Sequence, residues 1–127
     1  METNLKKTQA IEILRTNIPD LESNKKMRYR LTMGESKGVA KMNDEELDKA
    51  YTVDAYVLYR KEDNKGEPVT LLAILSGNEV ITAQSETLRK AFIEIADLMG
   101  EDPFSVRFEA AQSKNGRRFV YCVLDCD

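Results

Sequence analysis

From residue 52 to the C-terminus the chain alternates apolar and polar residues in two hairpin-like pairs of runs, separated by one stretch with helical periodicity. This order constrains the fold more than any single residue does. Period-two alternation marks a half-buried strand, and a period near 3.6 marks an amphipathic helix. The expected product is a small, strongly bent, mostly antiparallel sheet with one helix packed on it.

Residues 52–60 carry Val53, Ala55, Val57 and Tyr59 on one face and Asp54, Tyr56, Leu58 and Arg60 on a mixed face. Asp63-Asn64-Lys65-Gly66 supplies hairpin chemistry into residues 69–76. That run is apolar on both faces, so it is central or covered by the helix. Gly77-Asn78 turns into residues 79–83 and completes a meander. Ser85 is a natural N-cap for a helix whose stripe holds Leu88, Phe92, Ile95 and Met99, beside Ala91, Ala96 and Leu98, and which ends at Gly100. Asp102-Pro103 breaks it, and a last hairpin follows, residues 105–111 and 117–124 around Lys114-Asn115-Gly116.

The N-terminal part is less regular. Residues 4–17 place Leu5, Ile11, Ile13 and Leu14 among Lys6, Lys7, Glu12 and Arg15 and stop at Asn17 and Pro19, which predicts a short helix. Its apolar stripe either caps the core or docks on another chain. Residues 20–25 read as a linker. Residues 26–32 alternate strictly, Met27, Tyr29 and Leu31 against Lys26, Arg28, Arg30 and Thr32, which predicts a strand with one basic face. Gly34 and Gly38 allow a turn or bulge before residues 39–42, and Asn43 caps a helical turn over residues 44–47. Residues 1–25 are thus expected to be an N-terminal helix and linker, and residues 26–127 a single barrel domain.

At 127 residues, with 42% hydrophobic and 32% charged, the composition is that of one ordinary globular domain. No apolar run approaches the roughly 20 residues of a spanning helix, and Met1-Glu2-Thr3-Asn4 does not open a secretion signal. A cytoplasmic protein without a membrane partner is expected. The chain has no histidine and two cysteines, which removes the commonest general base, the nucleophile pairs that depend on it and nearly all zinc sites. Cys122 and Cys126 on one strand would stand about 13 Å apart, beyond disulfide reach, and are expected as reduced thiols. Glu45, Glu46, Asp48 and Asp54 offer carboxylates, but a first helical turn is reason enough for acids at that place. No phosphate-cradling loop or nucleophile elbow is present. The expectation is a protein that is not an enzyme and that uses no cofactor and no metal.

The net charge of -3 excludes a uniformly basic nucleic-acid binder but leaves room for a local basic groove. In the last strand, Val120 and Cys122 can fill the core with Arg118 and Leu124 on their face. That leaves Phe119 and Tyr121 beside Arg117 on the other, where aromatic rings stack bases and arginine holds phosphate. The competing reading covers both faces. Arg28 and Arg30 are spaced to track a phosphate backbone on a strand, Tyr56 with Arg60 repeats the aromatic-basic pairing, and Lys61, Lys65 and Lys114 sit at hairpin tips. Basic and aromatic residues interleaved on a curved sheet suit single-stranded nucleic acid.

The run Asp54-Ala55-Tyr56-Val57-Leu58-Tyr59, a polar turn, Leu71-Leu72-Ala73-Ile74, Ala83-Gln84-Ser85 opening a helix with Phe92, Glu101-Asp102-Pro103, and Ser113-Lys114-Asn115-Gly116-Arg117-Arg118-Phe119 resembles small single-stranded DNA-binding proteins of tailed bacteriophages. The resemblance covers roughly residues 40 to 124. It implies an α+β, OB-like, strongly bent antiparallel β-barrel with one packed helix. It implies sequence-tolerant binding of single-stranded DNA in phage replication or recombination, in the host cytoplasm. Two departures stand out. Only Asp125 and Asp127 follow the last strand, where many such proteins carry an acidic tail for partners. The N-terminal helix has no counterpart in the pattern and is available for homodimerisation or for contact with replication or recombination proteins. An alternative of another class is a protein-interaction module, such as a phage factor that inhibits a host enzyme through its acidic surface. A continuous basic groove would favour DNA, and dispersed charge a protein partner.

Overall fold

The computed structural model describes residues 11–126. In chain order its elements are β1 (Ile11–Thr16), α1 (Lys25–Thr32), the short β2 (Lys37–Gly38), the single turn α2 (Asp44–Leu47), β3 (Ala50–Thr52), β4 (Ala55–Glu62), β5 (Pro68–Ser76), β6 (Glu79–Ala83), α3 (Glu86–Met99), β7 (Ser105–Gln112) and β8 (Arg118–Leu124). Turns of 3-10 helix lie at Leu21–Ser23 and Val39–Lys41.

The meander forms as its turns dictate, with β4, β5 and β6 pairing antiparallel in sequence order. Edge strand β1 pairs antiparallel with β4, and β2 runs parallel to β6, giving the order β1-β4-β5-β6-β2. A second sheet has the order β3-β7-β8. The chain passes from one sheet to the other at Val53-Asp54, where the Val53 N–H donates to the Phe104 carbonyl at 3.0 Å and the Asp54 N–H to that of Leu75 at 2.9 Å. Among the described residues the sheets do not close into a barrel. The turn that follows β2 meets β8 through the Arg118 guanidinium, which donates to the carbonyls of Ala40 and Met42 at 3.2 Å each.

Two cores result, one on each face of the first sheet. In the first, α3 sits among β4, β5, β6 and the inner face of the second sheet. Its N-terminus is held by Ser85 Oγ accepting from the Leu88 N–H, and Gly100 ends it at φ 61°. Phe92, fully buried, meets Tyr56 edge-on at 5.1 Å and tilts against Phe104 at 6.1 Å. Leu72, Ile74, Ile81, Val106, Phe108, Val120 and Cys122 complete this core. In the second, Val57, Tyr59, Ala73, Leu75 and Val80 lie beneath Leu31 of α1 and Leu21, with Ile11, Ile13 and Met27 at the margin. Each large side chain so buried stabilises by about 1.5–3 kcal/mol. The double covering explains why β5 is apolar on both faces.

Three expectations are corrected. Residues 11–16 are a strand, not the end of a helix, because Ile11 and Ile13 alternate toward the second core while β1 gains the ladder of β4. Residues 4–10 of the expected helix lie outside the described residues. Residues 26–32 are helical, since Asn24 Oδ1 caps the Met27 N–H at 3.2 Å and Met27 and Leu31, one turn apart, both face the sheet while Tyr29 stands 61% exposed. The segment 20–25 is more than a linker, because it buries Leu21. The fold is α+β, with eight strands in two sheets among the described residues. The capped turn after Asn43 forms as expected, with Asn43 and Glu46 bonding reciprocally. The stripe of α3 is narrower than expected, since Leu98 is exposed.

Candidate nucleic-acid interface

The alternation of β8 decides which side chains meet solvent. Val120 and Cys122 point into the first core, and Phe119 and Tyr121 point out, their ring centroids 6.1 Å apart and tilted by 39°. Across the ladder, Phe119 faces Ala111 and Tyr121 faces Glu109. The Tyr121 hydroxyl donates to Glu109 Oε1 at 2.8 Å, and this bond, with the nearby carboxylate charge, pushes the phenol pKa up. Ala50 and Thr52 of β3 extend the outer face with small side chains. Phe119 remains 42% exposed, so the reading in which both faces of the last strand are covered does not hold among the described residues.

The hairpin tips are built alike. In one, the Asp63 N–H donates to the Glu67 carbonyl at 2.8 Å and the Gly66 N–H to the Asp63 carbonyl at 3.0 Å; in the other, the Ser113 N–H donates to Arg117 and the Gly116 N–H to Ser113, both at 2.9 Å. Gly66 and Gly116 take φ of 81° and 80°, a region that a side chain at Cβ disfavours. Asp63 Oδ1 accepts from the Lys65 and Glu67 amides, and Ser113 Oγ from that of Arg117. Lys65 and Lys114 therefore stand at the loop centres, and Arg117 enters β8 on the side of Phe119. Among the described residues, Lys61, Lys65, Lys114 and Arg117 make no ion pair.

The other expected residues are placed elsewhere. Tyr56 is 5% exposed, holds Phe92 and accepts from Arg15 Nε at 3.1 Å, so it has no face to offer a base. The mixed face of β4 misled because α3, far along the chain, covers it. Arg28 and Arg30 lie on α1, about 200° apart around the helix axis, and do not share a strand face. Arg28 pairs with Glu22 at 3.0 Å and Arg30 donates to the Asn78 carbonyl at 3.2 Å. Arg60 pairs with Glu12 at 3.2 Å. The structure thus brings Lys114, Arg117, Phe119 and Tyr121 together on one hairpin, leaves Lys61 on β4, and puts Arg28 and Arg30 across the first sheet.

Sequence reasoning missed Arg107, which alternation along β7 places on the outer side opposite Val123. Its Nε is buried without a hydrogen-bond acceptor, and Asp125 Oδ1 stands 3.6 Å away, close enough to offset the charge but too far to bond. Burial pushes the Cys122 thiol up to about 12, so it is inert at neutral pH, whereas Cys126 is exposed. Among the described residues no cluster of three metal-ligating side chains occurs, and no helix is long and apolar enough to cross a membrane. In comparison with known proteins, no family model, curated protein or solved structure matches the chain.

Proposed function

We propose that the chain is a non-enzymatic protein that binds single-stranded DNA with little regard to sequence, on the outer face of β8 and the β7–β8 turn. The observation that carries this reading is the outward-facing Phe119–Tyr121 pair, Phe119 exposed and Tyr121 half-buried, beside Arg117 and Lys114, which make no ion pair among the described residues. Stacking on such rings contributes about 1–3 kcal/mol per base, and the cations neutralise phosphate. The chain order also supports it. Taken as an opened OB-like barrel, with β3 continuing into β4 and α3 between meander and hairpin, the fold presents the β4–β5 and β7–β8 tips where OB folds grip oligonucleotides. Lys61 and Lys65 then belong to the same grip. The strand face that OB folds also use is covered here by α1, which moves base contacts to β8. Arg28, Arg30 and Arg60 are engaged by Glu22, Asn78 and Glu12 and fall outside the proposed contact. Protecting exposed strands during phage replication or recombination, in the host cytoplasm, is the setting that the family resemblance implies.

The test is a titration of fluorescent oligothymidine of about thirty nucleotides, roughly two OB-fold site lengths, at low and moderate salt with a duplex control. Saturable, salt-sensitive binding is expected, weakened roughly 5- to 150-fold in Phe119→Ala and in Tyr121→Ala. Absence of binding at micromolar protein and low salt overturns the reading.

A further inference from the structure

Strand β7 outruns its neighbour β3. The two pair only across residues 105–107, whereas β7 continues to Gln112 with β8 along its other edge throughout. Backbone direction follows from the bonds at its ends. The Phe104 carbonyl accepts on the β3 side, while Ser105 accepts from Asp125 and Ser113 donates to Arg117 on the β8 side. Alternation therefore turns the N–H and C=O of residues 106, 108, 110 and 112 toward β3. Tyr51 meets Val106 and Ala50 meets Arg107, which brings the Lys49 carbonyl to the Phe108 amide; beyond that the chain leaves for α2, where the Asp48 and Lys49 amides are returned to Asp44 and Glu46. Among the described residues, Ala110 and Gln112 have no backbone partner on that edge.

The same stretch is one wall of a cleft of about 580 Å³, whose other wall is Asp44, Leu47 and Asp48. Natural proteins blunt free edges with lysine, proline or a bulge. Residues 108–112 are Phe-Glu-Ala-Ala-Gln, carry none of these and keep an unbroken register with β8. What surrounds the edge is instead anionic. Asp44, Asp48 and Glu109 line the cleft, while the one cation among the lining residues, Arg107, faces Asp125.

We infer that this edge is a docking site for an extended, lysine- or arginine-rich segment of a partner protein, which adds to the second sheet as a strand beside β7. Main-chain bonds to Ala110 and Gln112 give the grip, and the cationic side chains face Asp44 and Asp48. The charge of Asp44 and Asp48, on the far wall of the cleft, selects the occupant, since it repels nucleic acid and the same edge of a second copy.

The probe is a fluorescent peptide of alternating valine and lysine, titrated into the full chain without DNA, beside its valine-glutamate counterpart. Saturable binding is expected for the lysine peptide, with binding at least about tenfold weaker for the glutamate peptide and in the Asp44→Lys, Asp48→Lys double variant. Ala110→Pro, which removes an edge N–H, should abolish binding; because it can also unfold the sheet, slowed exchange of the Ala110 amide on peptide addition to the unaltered chain is the deciding second readout. Lack of saturable binding, equal binding of both peptides, or an Ala110 amide unaffected by bound peptide overturns the inference. Oligothymidine binding by the double variant is expected to be unchanged, which separates this site from the DNA face.

Discussion

In the first sheet, Leu72 and Ile74 of β5 lie under α3 and the second sheet, while Ala73 and Leu75 lie under α1 and Leu21. In the second sheet, Val106, Phe108, Val120 and Cys122 are sealed against the same core, yet Phe119, Glu109 and Ala111 face outward and, among the described residues, one edge of β7 is bare beyond Phe108. The contrast separates two tasks within one small chain. A sheet covered on both sides can add stability but has no surface with which to recognise anything. A sheet covered on one side gives up some burial and keeps a face and an edge.

The largest effect that would sharpen this contrast is Leu72→Ala, expected to cost about 2–5 kcal/mol in urea unfolding, against less than about 1 kcal/mol for Phe119→Ser. If the Phe119 variant costs as much as the Leu72 variant, the outer face is not free and the contrast fails. Next comes alkaline pH. The stability tied to the neutral Cys122 thiol is fully present below the ordinary value of 9.0 and is lost as pH rises toward about 12, and buried Tyr59, also raised, acts in the same sense. Unfolding midpoints should fall across that window, and Cys122→Ala should flatten the fall; at pH about 8 a thiol reagent should label Cys126 and spare Cys122 until the chain unfolds. Smaller is Ser85→Ala, which removes the cap of α3 and should cost about 1 kcal/mol while leaving oligonucleotide affinity unchanged. Smallest is Arg60→Ala. Its exposed pair with Glu12 contributes at most about 1 kcal/mol, and since Arg60 belongs to the insulated sheet, its loss should leave the DNA titration where it was.

The elements legible in the sequence are those whose signals are local. The meander, α3 and the β7–β8 hairpin each combine one unambiguous period with explicit punctuation at Gly66, Gly77, Ser85, Gly100 or Gly116. Where the period was ambiguous, reading failed. Met27, Tyr29 and Leu31 satisfy a strand at spacing two, but Met27 and Leu31 alone satisfy a helix at spacing four, and the Asn24 cap and the helix-forming Lys, Arg, Met and Leu decide between them. In residues 11–16 the ladder of β4, contributed from far along the chain, overrides the apparent helical spacing. The same distance explains the site. The outward set of β8 follows from alternation within one strand, whereas the fate of Tyr56 depends on Phe92 and that of Arg60 on Glu12, contacts that no local pattern carries.

The corner at Val53-Asp54 also has a consequence for assembly over time. The β7–β8 turn closes over four residues, from Ser113 to Arg117, but Thr52 must find Ser105 across 53 residues of chain. Chain entropy opposes the longer closure, and non-local pairing slows folding, so the meander and the terminal hairpin are expected to form before β3 and α3 join them. Until then both long edges of the hairpin other than its own internal seam are open to any extended chain nearby. The short β3 is therefore the latch of the molecule, and the interval before it engages is when a nascent chain is most exposed to mispairing.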